Sequence, residues 1–387
     1  MLPRRGHPLI SMLNYNPRVR RTDGWWLGFL SLLAASTASS AASGLDHEYD
    51  AYARSTVRAK LPGDRSIGWV CMGSGSPTVV MTAGAGDWSV AWRKVQPAIA
   101  KTTRVCAWDR PGFGFSDPSP GTQNLVQTEA DLEAALKAAN IRGPYVLVGH
   151  SLGAYETLRF ADRNRQSVAA MVLVDPAFPD EFRTLARDYP GVFKLQSSMN
   201  NQNARDLQAC ADNVRSRSVE PGSAGWSDCV GDDPAYPTKL RRRLARLAAD
   251  PARFTTQRSF TTWEFRDAEL VLDPHRSYGD LPLIVLTAAD TPDFPLAVAP
   301  ASTTAEMKRM QVELWTKAHD RLAALSSRGK NVIIAGSMHY IQLMKPEAVV
   351  DATMRVVAEA RSRATNATVA GIADPTGTIG SGIGSTH

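Results

Sequence analysis

The sequence predicts an α/β protein, a mostly parallel sheet covered by helices on both faces and interrupted by a mainly helical insertion. Three observations carry this. Short apolar runs ("PTVVMTAG", "YVLVG", "VAAMVLVD", "LPLIVLTA", "KNVIIAG") recur with helical periodicity between them. Strands that lack polar alternation are those buried on both faces. Between Pro176 and Leu281 the rhythm stops, and Arg, Asp, Asn and Gln dominate a stretch far longer than an ordinary crossover. Finally, "YVLVGHSLGAYE" (145–156) passes from strand to helix through a turn centred on Ser151.

Taken in order, the chain opens with Arg4, Arg5, Arg18, Arg20 and Arg21, then the apolar run Trp25 to Ala35, then small residues with Ser40-Ala41-Ala42 as a cleavage site. That is the order of a secretory signal peptide, so residues 1–42 are expected to be an address and the location secreted or periplasmic. The run falls well short of the ~20 residues that span a bilayer. Left uncleaved, it would be the chain's one contact with a membrane. Five Arg and one Asp in this segment account for +4 of the formal net charge of +6, which leaves +2. No basic patch with interleaved aromatics remains, which excludes nucleic acid as a partner.

After the signal, Ala51 to Ala59 reads as helical or irregular. "SIGWVCMGSG" and "PTVVMTAGAG" read as two strands, and "TRVCAWDRPGFG" as another that ends in a glycine-rich loop. "TEADLEAALKAA" (128–139) has helical spacing, and the Gly143-Pro144 break separates it from the strand before Ser151. The expected organisation is a core over 43–175 and 282–361, a helical cap over 176–281, and a disordered tail over 362–387, where Gly, Ser, Thr and Ala follow without periodicity. Four cysteines, Cys71, Cys106, Cys210 and Cys229, point to disulfides in an exported chain, with three pairings open. No C-x-x-C occurs, so no zinc site and no cofactor is expected.

The turn at Ser151 carries the chemistry. Gly149 and Gly153 flank it at two positions either side, where a Cβ would clash as strand and helix converge. Such a turn exposes a hydroxyl at the top of a sheet, and a serine hydroxyl needs an adjacent base to become a nucleophile. Of seven histidines, His339 stands in the loop after a late strand, where an α/β site collects its residues. His150 is expected to point to the other side of the turn, and His319, inside "WTKAHDRLAAL", to be structural. The orienting carboxylate should lie between Ser151 and His339 in chain order, and Asp175 and Asp290 both stand at strand ends. Two backbone N–H groups are needed for an oxyanion, and Leu152, opening the helix, and Ala85, in "TAGAGDWS", are the candidates.

Gly-His-Ser-Leu-Gly at 149–153, Asp-Arg-Pro-Gly-Phe-Gly-Phe-Ser at 109–116 and Gly-Ser-Met-His-Tyr-Ile-Gln-Leu at 336–343 together resemble the α/β-hydrolase superfamily over residues 66–360 apart from the cap. "CMGSGSP" at 71–77 is similar to a turn found in its exported bacterial members. The resemblance implies an α/β-hydrolase fold with an eight-stranded sheet. Its second and fourth strands are neighbours, which pairs Cys71 with Cys106 and leaves Cys210 with Cys229. Its commoner acid site, after the seventh strand, points to Asp290, though the register there is displaced by one residue; other members carry the acid after the sixth strand, which Asp175 matches, so both stay open with Asp175 preferred. The usual His-Gly before the oxyanion loop is Ala83-Gly84 here, which keeps the backbone donor. With serine rather than aspartate at 151, the likeness to epoxide hydrolases and haloalkane dehalogenases extends to the fold only.

The leading expectation is a serine hydrolase of small-molecule carboxylic esters. An exopeptidase or amidase similar to proline iminopeptidases is the second, and a non-catalytic ligand-binding protein on the same fold is the third.

Overall fold

The computed structural model describes residues 48–53, 57–223, 225–230, 236–290 and 301–372. Within them a single sheet runs in the order β1-β2-β4-β3-β5-β6-β7-β8. The strands are β1 (Val57–Leu61), β2 (Arg65–Met72), β3 (Thr78–Thr82), β4 (Val105–Trp108), β5 (Tyr145–His150), β6 (Val168–Val174), β7 (Leu283–Ala288) and β8 (Lys330–Ile334). β2 is antiparallel to both neighbours, and β4 to β8 and β3 are mutually parallel. The signal peptide and its cleavage site lie outside the described residues.

The apolar runs are continuous because successive residues feed opposite faces of the sheet. In β6, Met171 and Leu173 enter one core with Val80, Leu147 and Val285. Ala170, Val172 and Val174 enter the other with Val79, Met81, Val146 and Ile284. Helices α1 (Leu125–Ala138) and α2 (Gly153–Arg163) close the first face. The long carboxy-terminal helix closes the second through Val349, Val356 and Val357.

Two readings are corrected. The stretch read as helical or irregular through Ala59 contains β1, in which Ala59 and Leu61 turn inward while Arg58 and Lys60 face out. Its hairpin to β2 turns through Gly63 and Asp64, both at positive φ. The tail expected to be disordered from residue 362 is helical to Ile372, since Pro346–Ile372 is one helix. Arg361 anchors it by donating to Ser76 O at 2.9 Å and Thr102 O at 3.1 Å, and Arg363 pairs with Asp280. Residues 373–387 lie outside the described residues.

The insertion after β6 is helical: α3 (Glu181–Asp188), α4 (Pro190–Arg215), α5 (Trp226–Val230), α6 (Thr238–Ala248) and α7 (Pro251–Asp267). Disulfides join Cys71 to Cys106, directly opposed on β2 and β4, and Cys210 to Cys229 across α4 and α5. The second bond closes a small apolar cluster with Val219, Trp226 and Phe254. Helix α7 is fastened to the loop after β4. Arg253 donates to Ser116 O at 2.7 Å and Gly114 O at 2.9 Å, and Gln257 donates to Gly112 O at 2.7 Å.

Candidate active site

Ser151 follows β5 directly and holds a positive φ of 51°. For a residue with a Cβ this backbone region is costly, and it persists because the surroundings fix it. The Ser151 N–H donates to Val174 O at 3.1 Å and its carbonyl accepts from Ala177 N at 3.0 Å, so β6 and the chain after it hold the turn. The flanking glycines answer a steric need. A Cβ on Gly149 would lie 2.7 Å from the Gly153 carbonyl oxygen, and one on Gly153 2.6 Å from that of Ala83.

Asp175 follows β6, also at positive φ, 38°. His339 stands beyond β8. The carboxyl ends of parallel strands thus converge. His339 Nε2 lies 2.9 Å from Ser151 Oγ, and His339 Nδ1 lies 2.7 Å from Asp175 Oδ2. A carboxylate only accepts, so Nδ1 carries the proton and Nε2 is left to accept from the hydroxyl. Asp290 is exposed, and its backbone N–H donates to Ser337 O at 3.1 Å. No described hydrogen bond joins Asp290 to His339.

Asp175 is buried, which by itself would push its carboxyl up. The hydrogen bond from His339, the fields of His339 and His319 and the Ala288 N–H outweigh burial and hold it below its ordinary value. Its second oxygen, Oδ1, accepts from Ala288 N at 2.9 Å and from the Trp315 indole N–H at 3.0 Å. His319 is buried behind it, bonded to Pro176 O at 2.8 Å and Thr287 Oγ1 at 2.7 Å, and burial lowers its pKa. Neither Trp315 nor the exact place of His319 is legible in the sequence, because both sit inside an ordinary amphipathic helical pattern.

His150 departs from expectation. Its ring lies 4.7 Å from that of His339, and its Nε2–H donates to the His339 carbonyl at 3.0 Å. The backbone at Ser151 turns so sharply that the preceding side chain stays beside the site. Burial, then the field of His339, push its pKa down to about 3, so it is neutral at pH 7.

The loop that contains Ala85 comes close to this centre. A Cβ on Gly84 would sit 3.3 Å from Ser151 Cβ and 2.8 Å from His150 Nδ1, so the loop of Ala85 lies against the serine. Leu152 precedes α2, and neither its N–H nor that of Ala85 has an acceptor among the described residues. Asp87, in the same loop, is buried and pushed up to about 6 by desolvation, against the fields of His339 and Arg110. Among the described residues no three His, Cys, Asp or Glu side chains converge on a place for a metal ion.

A family model described as the alpha/beta hydrolase fold matches residues 77–214. The chain is similar to YqjL of Bacillus subtilis strain 168, 37% identical over 108 residues, which cover 28% of this chain and 43% of that one. It is also similar to a 2-hydroxy-6-oxononadienedioate/2-hydroxy-6-oxononatrienedioate hydrolase of Cupriavidus pinatubonensis, 34% identical over 108 residues, 26% of this chain and 37% of that one. The chain thus spans less than half the length of these curated relatives. Among solved structures, the lip1 chain of Acinetobacter baumannii AYE superposes with TM-score 0.54 at 16% identity, covering 87% of this chain and 100% of that one. The epoxide hydrolase CorEH superposes with TM-score 0.52 at 17% identity, covering 79% and 99%. At such identities the likeness is one of fold.

Proposed function

We propose that this chain, whose residues 77–214 match a family model described as the alpha/beta hydrolase fold, is a serine hydrolase of carboxylic esters. The observation that carries this is the unbroken line from Ser151 Oγ through the His339 ring to Asp175, with contacts of 2.9 and 2.7 Å. His339 Nε2 takes the hydroxyl proton as Ser151 Oγ attacks the ester carbonyl. Asp175, kept ionised by its hydrogen bonds, stabilises the imidazolium that forms. The N–H groups of Leu152 and Ala85 receive the oxyanion. His339 then gives its proton to the departing alcohol, and water repeats the sequence on the acyl-serine.

Among the described residues both pairs of cysteines are joined, which fits an oxidising compartment. With the basic, apolar and small-residue order of residues 1–42, this supports export of the chain.

The test is labelling with a fluorophosphonate probe, followed by turnover on a panel of p-nitrophenyl esters and aminoacyl anilides. Labelling that disappears in Ser151→Ala, with esters turned over in preference to anilides, is the expected result. Faster anilide cleavage would replace the reading by an exopeptidase, and folded protein that takes no label would leave a binding protein.

A further inference from the structure

Arg110, the second residue of the loop after β4, is buried at 2% exposure, and Glu156 on α2 at 0%. The guanidinium uses Nε and Nη2 to grip both Glu156 oxygens, at 2.5 and 2.9 Å. The same guanidinium donates through Nη2 to Ala83 O at 2.7 Å and through Nη1 to Gly84 O at 2.8 Å. Its neighbour Asp109 holds the far end of that loop, accepting from Ser89 N at 2.7 Å. One strand end therefore pins the segment 83–89 at both ends.

The Gly84 carbonyl and the Ala85 N–H are two ends of one peptide plane. In a trans peptide they point in opposite directions. A cation fixed on the oxygen end therefore aims the N–H away from Arg110, and Gly84 itself lies close to the serine, since a Cβ on it would sit 3.3 Å from Ser151 Cβ. It also polarises the peptide and makes the N–H a stronger donor. Asp87 N is a second donor to the same oxygen, but at 3.3 Å. Glu156 neutralises the guanidinium and ties it to the first turn of the helix that begins after Ser151. The two oxyanion donors, Ala85 and Leu152, are thus linked through one ion pair.

We propose that Arg110, held by Glu156, is a positioning residue that orients the Gly84–Ala85 peptide toward the oxyanion formed at Ser151. This rests on the serine-hydrolase reading above. A buried pair can instead serve only the fold, and apolar replacement of both partners is often tolerated by a folded chain. The double variant Arg110→Met/Glu156→Leu separates the two roles, and Arg110→Lys keeps the charge without the fork that reaches carboxylate and both carbonyls. Thermal midpoint, kcat and KM on a p-nitrophenyl ester, and hydrogen exchange of the 83–89 backbone would be read for each. The double variant should melt near the wild type yet lose about 10²-fold in kcat with KM within about threefold, as for a lost oxyanion donor. Its 83–89 amides should exchange at least about fivefold faster. Arg110→Lys should fold and fall between the two. Turnover within about threefold of wild type in the double variant, with unchanged exchange, would overturn the proposal. If the wild type turns over no ester, the serine-hydrolase reading fails, and the exchange of 83–89 still decides whether Arg110 fixes that peptide.

Discussion

Trp315 donates its indole N–H to Asp175 Oδ1 at 3.0 Å, the carboxylate oxygen that His339 does not use. With the Ala288 N–H on the same oxygen, Oδ1 accepts twice, from β7 and from the helix before β8, and Oδ2 once, from the histidine. The carboxylate is thereby kept ionised and its plane fixed.

Asp175→Asn should lower kcat on esters about 10⁴-fold while the fold persists, because the amide cannot hold the imidazole tautomer that leaves Nε2 free. Asp290→Asn, at an exposed position, should stay within about twofold of the wild type. Steady-state kinetics with circular dichroism on both variants checks the pair.

Trp315→Phe keeps the ring and removes the N–H. One buried hydrogen bond to a charged group is lost, which should cost about 1.5–3 kcal/mol of stability. The Asp175 carboxyl should also rise, so the acid limb of the kcat profile moves to higher pH. A pH–rate series against wild type reads the limb, and denaturant melts read the stability.

Glu181, at the start of α3, is pushed up to about 8 by burial and by the nearby carboxyls of Glu264, Asp175 and Asp180, against an ordinary 4.5. A carboxyl with a raised folded pKa stabilises fully below its unfolded value, and that contribution is lost as pH climbs through the folded one. Glu181→Gln should therefore gain in Tm on the wild type as pH rises from about 5 to about 9. A Tm difference that stays flat across that range would exclude this account.

His150 has the opposite dependence. Its folded pKa of about 3 lies below the ordinary 6.5, so the unfolded chain takes up a proton that the folded one refuses. Stability from this group is lost as pH falls from 6.5 toward 3. Gln at 150 can still donate to the His339 carbonyl and does not titrate. The midpoint of acid unfolding in His150→Gln should move to lower pH.

Serine at both Cys210 and Cys229 opens a loop with a sequence separation of 19 in the cap. The loss should be about 3 kcal/mol by loop closure, and limited proteolysis should cut first between α4 and α6.

What could be read from the sequence was whatever depends on neighbours in the chain. Four of the five apolar runs are strands buried on both faces, the fifth, β8, is an edge strand with Val332 and Ile333 exposed, and the Ser151 turn was visible because Gly149 and Gly153 must accompany it. β1 escaped because its alternation of Arg and Lys with Ala and Leu, the period of a strand, spans only five residues close behind the helical residues 48–53. The juxtapositions across the sheet were not legible. Trp315 lies 140 positions from Asp175, and Arg110 is 46 from Glu156 and 26 or 27 from the carbonyls it holds. Nothing in the local pattern of any of these residues records its partner. His150 failed for a different reason: alternation in β5 sends it away from the site, and only the backbone reversal at Ser151 brings it back.

The fastening of α7 by Arg253 and Gln257 ties the end of the insertion to the loop after β4, while Phe254 of the same helix packs with Cys210 and Trp226. The helix nearest its end moves with the loop that carries Arg110, whose guanidinium also lies 5.1 Å from the Phe260 ring centre. The helices before it rest on that seat. An engineer exchanging caps between relatives to change substrate choice should therefore cut before Asp250, and keep α7 as part of the recipient. A graft bounded at 176 and 281 would carry away the rivets that hold the recipient's own loop after β4.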